Sequence, residues 1–279
     1  MEVLIGSEAL ATGKLTRHQL RTLYRRLHPD VYGPKWADLA LEDRIAAAWL
    51  WSRRRGVVCG LAASAIHGAK WVDTDVTIEL VMPNHRAPPG VIAHNCNLFD
   101  DEIIARRGMR VTTVERTAFD LACADRVSQA VARLDALAGA THFKNADVCE
   151  LARRHPRYRG IRRLDTVLDL VDAGAESPQE TRVRLLLLDN GFPRPTTQLP
   201  VLAPNGFPRY YLDMGWEDIL VAVEYDGEHH RKNTADYRKD IVRLEYIQSL
   251  GWIVIRVVAG NRPRDIVERV RRARASRLR

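Results

Sequence analysis

The sequence predicts an α+β fold, and three patterns along its 279 residues carry that expectation. Capped helix starts recur, as at Thr16-x-x-Gln19 and, far downstream, Ser177-Pro178-Gln179-Glu180. Continuous apolar runs, Ile219–Val223 and Ile253–Val258, read as strands buried on both faces. Between these ends, a run of helices surrounds two strands separated by a Pro-rich turn.

Taken in order, Ser7–Ala11 is a short helix stopped by Gly13, and the Thr16 capping box starts a second helix reaching about Tyr24. Arg25–Tyr32 then turns through Pro29-Asp30 into a strand-like end. These residues form a head over 1–34. A mixed middle region, 35–172, follows. Leu39–Trp51 is a helix with Ile45 and Trp49 at i, i+4, and Ala62–His67 is a short helix ended by Gly68. Val76–Met82 and Val91–Leu98 are strands around the turn Pro83–Gly90. Thr113–Ala124 starts from a capping box, Thr112-x-x-Glu115, and helices Val127–Ala138, Asn145–His155 and Ile161–Val171 follow. Glu115, Arg116 and Asp120 lie at helical spacing, which favours a structural ion-pair cluster over a catalytic trio.

Asp172–Ala175 reads as a linker into a third region, 177–279. There the helix Glu180–Asn190 ends at Gly191, and a strand lies near Thr197–Leu202. Further on, Arg238, Lys239 and Arg243 sit on a helix whose buried stripe is expected to be Ile241, Leu244 and Ile247. Gly251-Trp252 ends that helix. The last segment places Ile266, Val270 and Ala273 on one helical stripe.

Composition bounds the function. Apolar residues make up 46% of the chain, enough for real cores, and no run approaches the length of a membrane span. With no basic-then-apolar start either, the expected setting is cytoplasmic, without a membrane partner. The four cysteines (Cys59, Cys96, Cys123, Cys149) lack paired spacing, so neither a disulfide framework nor a zinc knuckle is expected. The net charge of +8 is concentrated in Asn261–Arg279, where eight arginines face two acids. Arg271 and Arg272 there either contact phosphates or cover a solvated helix whose charges suit its C-terminal end.

The chemistry concentrates in Arg209–His230, RYYLDMGWEDILVAVEYDGEHH. Asp213 lies in one strand-like run, and Glu224 and Asp226 lie at the exit of the next, with His229 and His230 just beyond. Carboxylates crowded at the end of a buried strand oppose folding unless a positive group neutralises them, and a hard divalent cation does that with oxygen ligands. The alternative is that Asp226-Gly227 simply turns the chain and both histidines lie on the surface.

These residues resemble the PD-(D/E)xK nuclease superfamily, in which an Asp and a later Asp or Glu on neighbouring strands hold the catalytic metal. The closer likeness is to a branch related to the very-short-patch-repair (Vsr) endonucleases. Its hallmarks are matched by Asp213, by Val223–His230 (VEYDGEHH), by Asp236-Tyr237-Arg238-Lys239-Asp240 with Arg243 and Leu244, and by Gly251–Arg256 (GWIVIR). The likeness runs from about Ser177 to the C-terminus. It implies a metal-dependent DNA endonuclease using Mg2+ or Mn2+ held by Asp213 and Glu224, with a backbone carbonyl near Tyr225 as a further ligand. His229 or His230 would act as general base or acid. Asp226, also a catalytic candidate, stands where the superfamily motif usually has Lys; an Asp cannot supply that positive charge, though it can bind metal or accept a proton. Glu180 has two roles open to it, capping its own helix or reaching the metal.

The front of the chain resembles the winged-helix start of AbiEi-type abortive-infection antitoxins, and Thr113–Ala124 is similar to the S/T-x-E-R-T-x-x-D segment of that group. The whole chain is similar to a class of two-part actinobacterial proteins. In the head, Pro29-Asp30-Val31-Tyr32 stands where that group has a GVY-like strand, without its Gly. The likeness implies a DNA-binding head with Arg17, Arg21, Arg25 and Arg26, together with His18, facing groove and phosphates. Arg238 and Lys239 would add backbone contacts, or else form a surface salt-bridge ladder. Duplex DNA is the favoured partner, with RNA as a further reading because the chemistry is shared. A homodimer would suit a winged head, though nothing in the sequence requires one. The competing class is an antitoxin-like DNA-binding regulator whose nuclease fold has lost activity.

Overall fold

The computed structural model describes residues 3–83, 86–124, 126–227 and 234–278. The fold is α+β, and the chain divides into two compact units, Met1–Asp169 and Leu170–Arg279. Among the described residues no helix is long and apolar enough to cross a membrane.

The first unit opens with β1 (Leu4–Ile5), α1 (Gly6–Ala11) and α2 (Arg17–Leu23), followed by a hairpin of β2 (Tyr24–His28) and β3 (Val31–Pro34). The three strands form a sheet in the order β1-β3-β2. The Thr16 hydroxyl accepts the Gln19 N–H (3.2 Å) and the Gln19 side chain accepts the Thr16 N–H (2.9 Å), the capping box that the sequence announces. A whole hairpin stands where the sequence predicts only a strand-like end. Its first strand exposes Arg25 and Arg26 and so lacks the apolar alternation that marks a half-buried strand. Asp30 turns the hairpin at φ +59°, and its carboxylate accepts the Ser7 N–H (2.9 Å) and pairs with Arg53 (2.8 Å).

Helix α3 (Leu41–Trp51) backs this hairpin, with Ala47 and Leu50 packed on Val3, Ile5 and Val31. Its other side joins α4 (Gly60–Ile66) in covering a five-stranded sheet. That sheet is built from β4 (Val57–Cys59), β5 (Ile78–Val81), β6 (Val91–His94), β7 (Ile103–Arg106) and β8 (Met109–Thr112), in the order β6-β5-β4-β8-β7. The sequence anticipated β5 and β6. Strands β4, β7 and β8, three or four residues long, were not anticipated.

Helices α5 (Val114–Ala124), α6 (Val127–Thr141), α7 (Asn145–Arg153) and α8 (Leu164–Leu170) follow. The cap of α5 is displaced by one residue from expectation. The Thr113 hydroxyl accepts the Arg116 N–H (3.2 Å), whereas Thr112 spends its hydroxyl on that of Thr117 (2.7 Å). Arg116 is fully buried; its Nε donates to Asp120 (3.0 Å) and its Nη1 to Glu102 (2.5 Å). Glu102, thirteen residues before the expected partner Glu115, completes this cluster; His155 bonds Glu102 (2.7 Å) and Tyr158 donates to Asp120 (2.9 Å). A structural ion-pair cluster is present, with Glu102 in the place given to Glu115.

The second unit runs α9 (Pro178–Asp189), β9 (Thr196–Leu202), β10 (Pro208–Trp216), β11 (Val221–Asp226), α10 (Thr234–Ser249), β12 (Ile253–Val258) and α11 (Pro263–Arg277). Its sheet has the order β12-β11-β10-β9: the first three strands in the chain are antiparallel neighbours, and β12 lies parallel to β11 through the crossover α10. Strand β11 starts two residues later than the apolar run suggests. Ile219 closes a single 3-10 turn and Leu220 sits at φ +51°, which aims the chain into the sheet.

Helices α9 and α11 cover one face, where Val183, Leu187, Ile266 and Val270 meet Met214, Val221, Val223, Ile255 and Val257. Helix α10 covers the other through Ile247, against Leu199, Leu212, Ala222 and Trp252. Only the end of the stripe expected for α10 is buried. Ile241 is 39% exposed, and Asp240 and Arg243 take the inward positions of the helix's first half. A charged inner face arises there because that half of α10 lies over the acids of β11 rather than over the apolar core.

Candidate active site

Strand β10 changes face at Asp213. Leu212 packs with the core beneath α10 and Met214 with the core beneath α9 and α11, although strand neighbours two apart ordinarily share a face. The β10–β11 ladder runs from Trp216↔Val221 to Met214↔Val223. At the next position the Tyr225 N–H donates to Asp213 Oδ2 (2.7 Å). Asp213 and Glu224 therefore lie side by side at the point where the two strands part. The other oxygen of Asp213 accepts no hydrogen bond among the described residues.

Glu224 is buried, and both of its oxygens are held by Arg243 of α10, one of them at 3.1 Å from Nη1. Arg243 also donates to the Tyr211 carbonyl (2.9 Å) and lies 3.9 Å from Asp240. Asp226 pairs with Arg256 of β12 (2.8 Å), whose second Nη binds Asp240 (2.8 Å). Arg256 thus turns back toward the acids, and Asp240 is closer to this arginine on a strand of the sheet than to Arg243 on its own helix.

Glu180 resolves into a cap with a second influence. Ser177 accepts the Glu180 N–H (3.2 Å), and the Glu180 carboxylate accepts from the Ser177 hydroxyl (2.8 Å) and the Glu176 N–H (2.9 Å). Burial raises its pKa above the usual carboxylate range. Burial also pushes Asp213 up to about 7, helped by the negative charges of Glu180 and Glu224 and opposed by the Tyr225 N–H and Arg243. Glu180 is therefore close enough to act on Asp213 electrostatically while its own oxygens serve the helix start.

Among the described residues no three His, Cys, Asp or Glu side chains are gathered so as to hold a metal ion by themselves. His229 and His230 lie outside the described residues, as does the side chain of Asp236. In the first unit, His94 binds Glu79 (2.6 Å).

The basic candidates fall into two groups. In the head, Arg17, His18 and Arg21 on α2 and Arg25 and Arg26 on β2 are all exposed, with Arg25 donating to the Ala37 carbonyl (3.0 Å). In the second unit, Arg238 and Lys239 are exposed on the outer side of α10. Arg271 and Arg272 are exposed on α11 but share one partner, Glu268, at 3.2 and 3.0 Å. Arg274 lies over the Trp216 ring (4.4 Å), so part of this arginine-rich helix serves packing.

The sequence placed Arg243 on a basic helix with Arg238 and Lys239 and did not reveal its hold on Glu224. The spacing Asp240-x-x-Arg243 was the available signal, since it sets both groups on one helical face.

No protein-family model matches the chain. It is similar to an uncharacterized protein found in two strains of Mycobacterium tuberculosis, CDC 1551 / Oshkosh and ATCC 25618 / H37Rv. Each relative is 27% identical over 262 residues, spanning 90% of this chain and 93% of its own length.

Proposed function

We propose that this protein is a metal-dependent endonuclease that hydrolyses DNA phosphodiester bonds. In this reading Leu170–Arg279 is a PD-(D/E)xK-type unit related to the Vsr enzymes, and residues 1–34 form a winged-helix-like head that selects DNA. The observation that carries it is the pair Asp213 and Glu224, adjacent on neighbouring strands at the point where β10 and β11 separate. Among the described residues, Asp213, Glu224, Asp226 and Asp240 set more carboxylates together than the guanidinium groups of Arg243 and Arg256 answer, an excess of acid that a divalent cation would reduce.

The donor set suits Mg2+ or Mn2+. Among the described residues the donors are hard oxygens, and Mg2+ is commonly held by one or two carboxylates with water and substrate phosphate completing the shell. Asp213 and Glu224 would hold the ion, which when bound supplies a polarised phosphate and a more acidic water. Arg256 fixes Asp226 and Asp240, and Glu180 keeps Asp213 basic enough to value a cation. His229 and His230 are proposed as the proton-transfer groups. The exposed arginines Arg17, Arg21, Arg25 and Arg26 support phosphate contact by the head. Arg238 and Lys239 would extend that contact, and Arg271 and Arg272 would add less because Glu268 engages both.

A nicking assay on supercoiled and mismatched plasmid DNA with Mg2+ or Mn2+, wild type beside Asp213→Ala, tests the reading. Nicking should fall at least about a hundredfold in the variant, while a parallel gel shift keeps the wild-type affinity. DNA binding without nicking in the wild type would favour a DNA-binding regulator on a retired nuclease fold. Two observations lend that second reading weight: Arg243 occupies Glu224, and Asp226 stands at the motif's Lys position.

A further inference from the structure

We propose that Arg243 is an exchangeable counter-ion of Glu224, displaced by the arriving metal and thereby released to meet the scissile phosphate in place of the missing motif lysine. The proposal rests on the nuclease reading and names a residue that reading leaves without a task.

The position of Arg243 carries it. The Glu224 side chain is 8% exposed and that of Arg243 is 23% exposed, so the arginine is the more accessible member of the pair. Both Glu224 oxygens are engaged, so a metal that takes either competes with Arg243 for the same negative charge. Arg243 is not stranded by the loss. It keeps the Tyr211 carbonyl at 2.9 Å and has Asp240 at 3.9 Å, which hold the guanidinium beside the site with its other donors available. A planar guanidinium that matches a carboxylate with two donors matches a phosphate in the same way.

Arg256 does not fill this role. Its two Nη atoms each have a carboxylate at 2.8 Å, Asp226 on β11 and Asp240 on α10, neither of which is a proposed ligand. Arg256 bridges two elements, and a bound metal asks nothing of its partners. Arg243 is the arginine whose partner the metal claims.

The two possible roles of Arg243 differ in sign. A counter-ion that competes with the metal weakens metal binding, so its removal tightens it. A clamp that merely positions Glu224 supports metal binding, so its removal weakens it. In the full chain, Mn2+ affinity measured by calorimetry should tighten about tenfold in Arg243→Gln, as expected for deleting one nearby positive charge. Nicking should fall at least about a hundredfold in the same variant. Arg243→Lys keeps the charge without the two-pronged hold, and should bind Mn2+ at least as tightly as wild type and nick within about tenfold of it. Weaker or unchanged Mn2+ binding by the folded Gln variant, or weaker binding by the Lys variant if Gln does not fold, overturns the exchange. A wild type that never nicks defeats the nuclease reading, while the Mn2+ shift on the same samples still decides the exchange at Glu224.

Discussion

Arg116 in the first unit and Arg243 in the second are both guanidinium groups set among carboxylates, and they differ in closure and in balance. The Arg116 side chain is 0% exposed, as is that of its partner Glu102, and every nitrogen of the guanidinium has an acceptor: Asp120, Glu102 with the Asn97 carbonyl, and Cys96. Phe119 and Tyr158 stack on it at 5.7 and 5.5 Å. Arg154 and His155 both reach Glu102 from the turn after α7, so a second arginine answers the buried acids. The Arg243 network is partly open to solvent and, among the described residues, holds more acids than bases; beside it Asp213 is pushed up to about 7, chiefly by burial and further by Glu180 and Glu224, with Arg243 opposing the rise. A charge cluster that is closed and balanced holds a fold together. One that is open and unbalanced stores repulsion that a ligand can relieve.

The contrast breaks first at Arg116. Arg116→Met leaves Glu102 and Asp120 buried without their main counter-ion and should cost about 3–5 kcal/mol, read as a lowered first-unit melting transition by calorimetry. A loss below about 1 kcal/mol would erase the distinction between the two clusters.

Asp213→Asn should act in the opposite direction. A carboxyl with a raised folded pKa binds its proton more tightly folded than unfolded, so in the metal-free protein stability falls as pH rises from about 4 through 7. The Asn variant should lose that slope and exceed wild type above pH 7 by up to about 3 kcal/mol. Denaturant titrations at pH 5 and pH 8 measure it; parallel curves for the two proteins would count against stored repulsion at this site.

The smallest effect sharpens the role of Glu180. Ser177→Ala removes a hydroxyl that both accepts from the Glu180 N–H and donates to its carboxylate, and should cost about 1 kcal/mol. Chemical denaturation of the metal-free protein would detect it, and no change would mean that the Glu176 N–H alone sustains the helix start.

Features that depend on neighbours in sequence were legible in advance. The Thr16 and Ser177 caps, the acids at the strand exits and the apolar stripe Ile266–Val270 follow from spacing alone. Features set by distant partners were not. Thr112 and Thr113 offer identical hydroxyls, and only Thr117 together with the actual helix start decides which one caps. Glu102 could not be matched to Arg116 without the sheet that brings them together. Ile241 fits the α10 stripe by period, yet the surface facing that turn is ionic, so the period misleads there.

The order of strands in the second unit also bears on how its site assembles. Asp213 and Glu224 meet across a short antiparallel connection, a contact that closes little chain. Arg243 comes in only when α10 packs on the sheet, and Arg256 only when that crossover has returned β12 alongside β11. Parallel pairing of this kind is reached late, because chain entropy must be lost before any contact rewards it. The folding chain therefore meets carboxylate repulsion before the arginines can answer it, and dissolved cations can supply that charge in the interval.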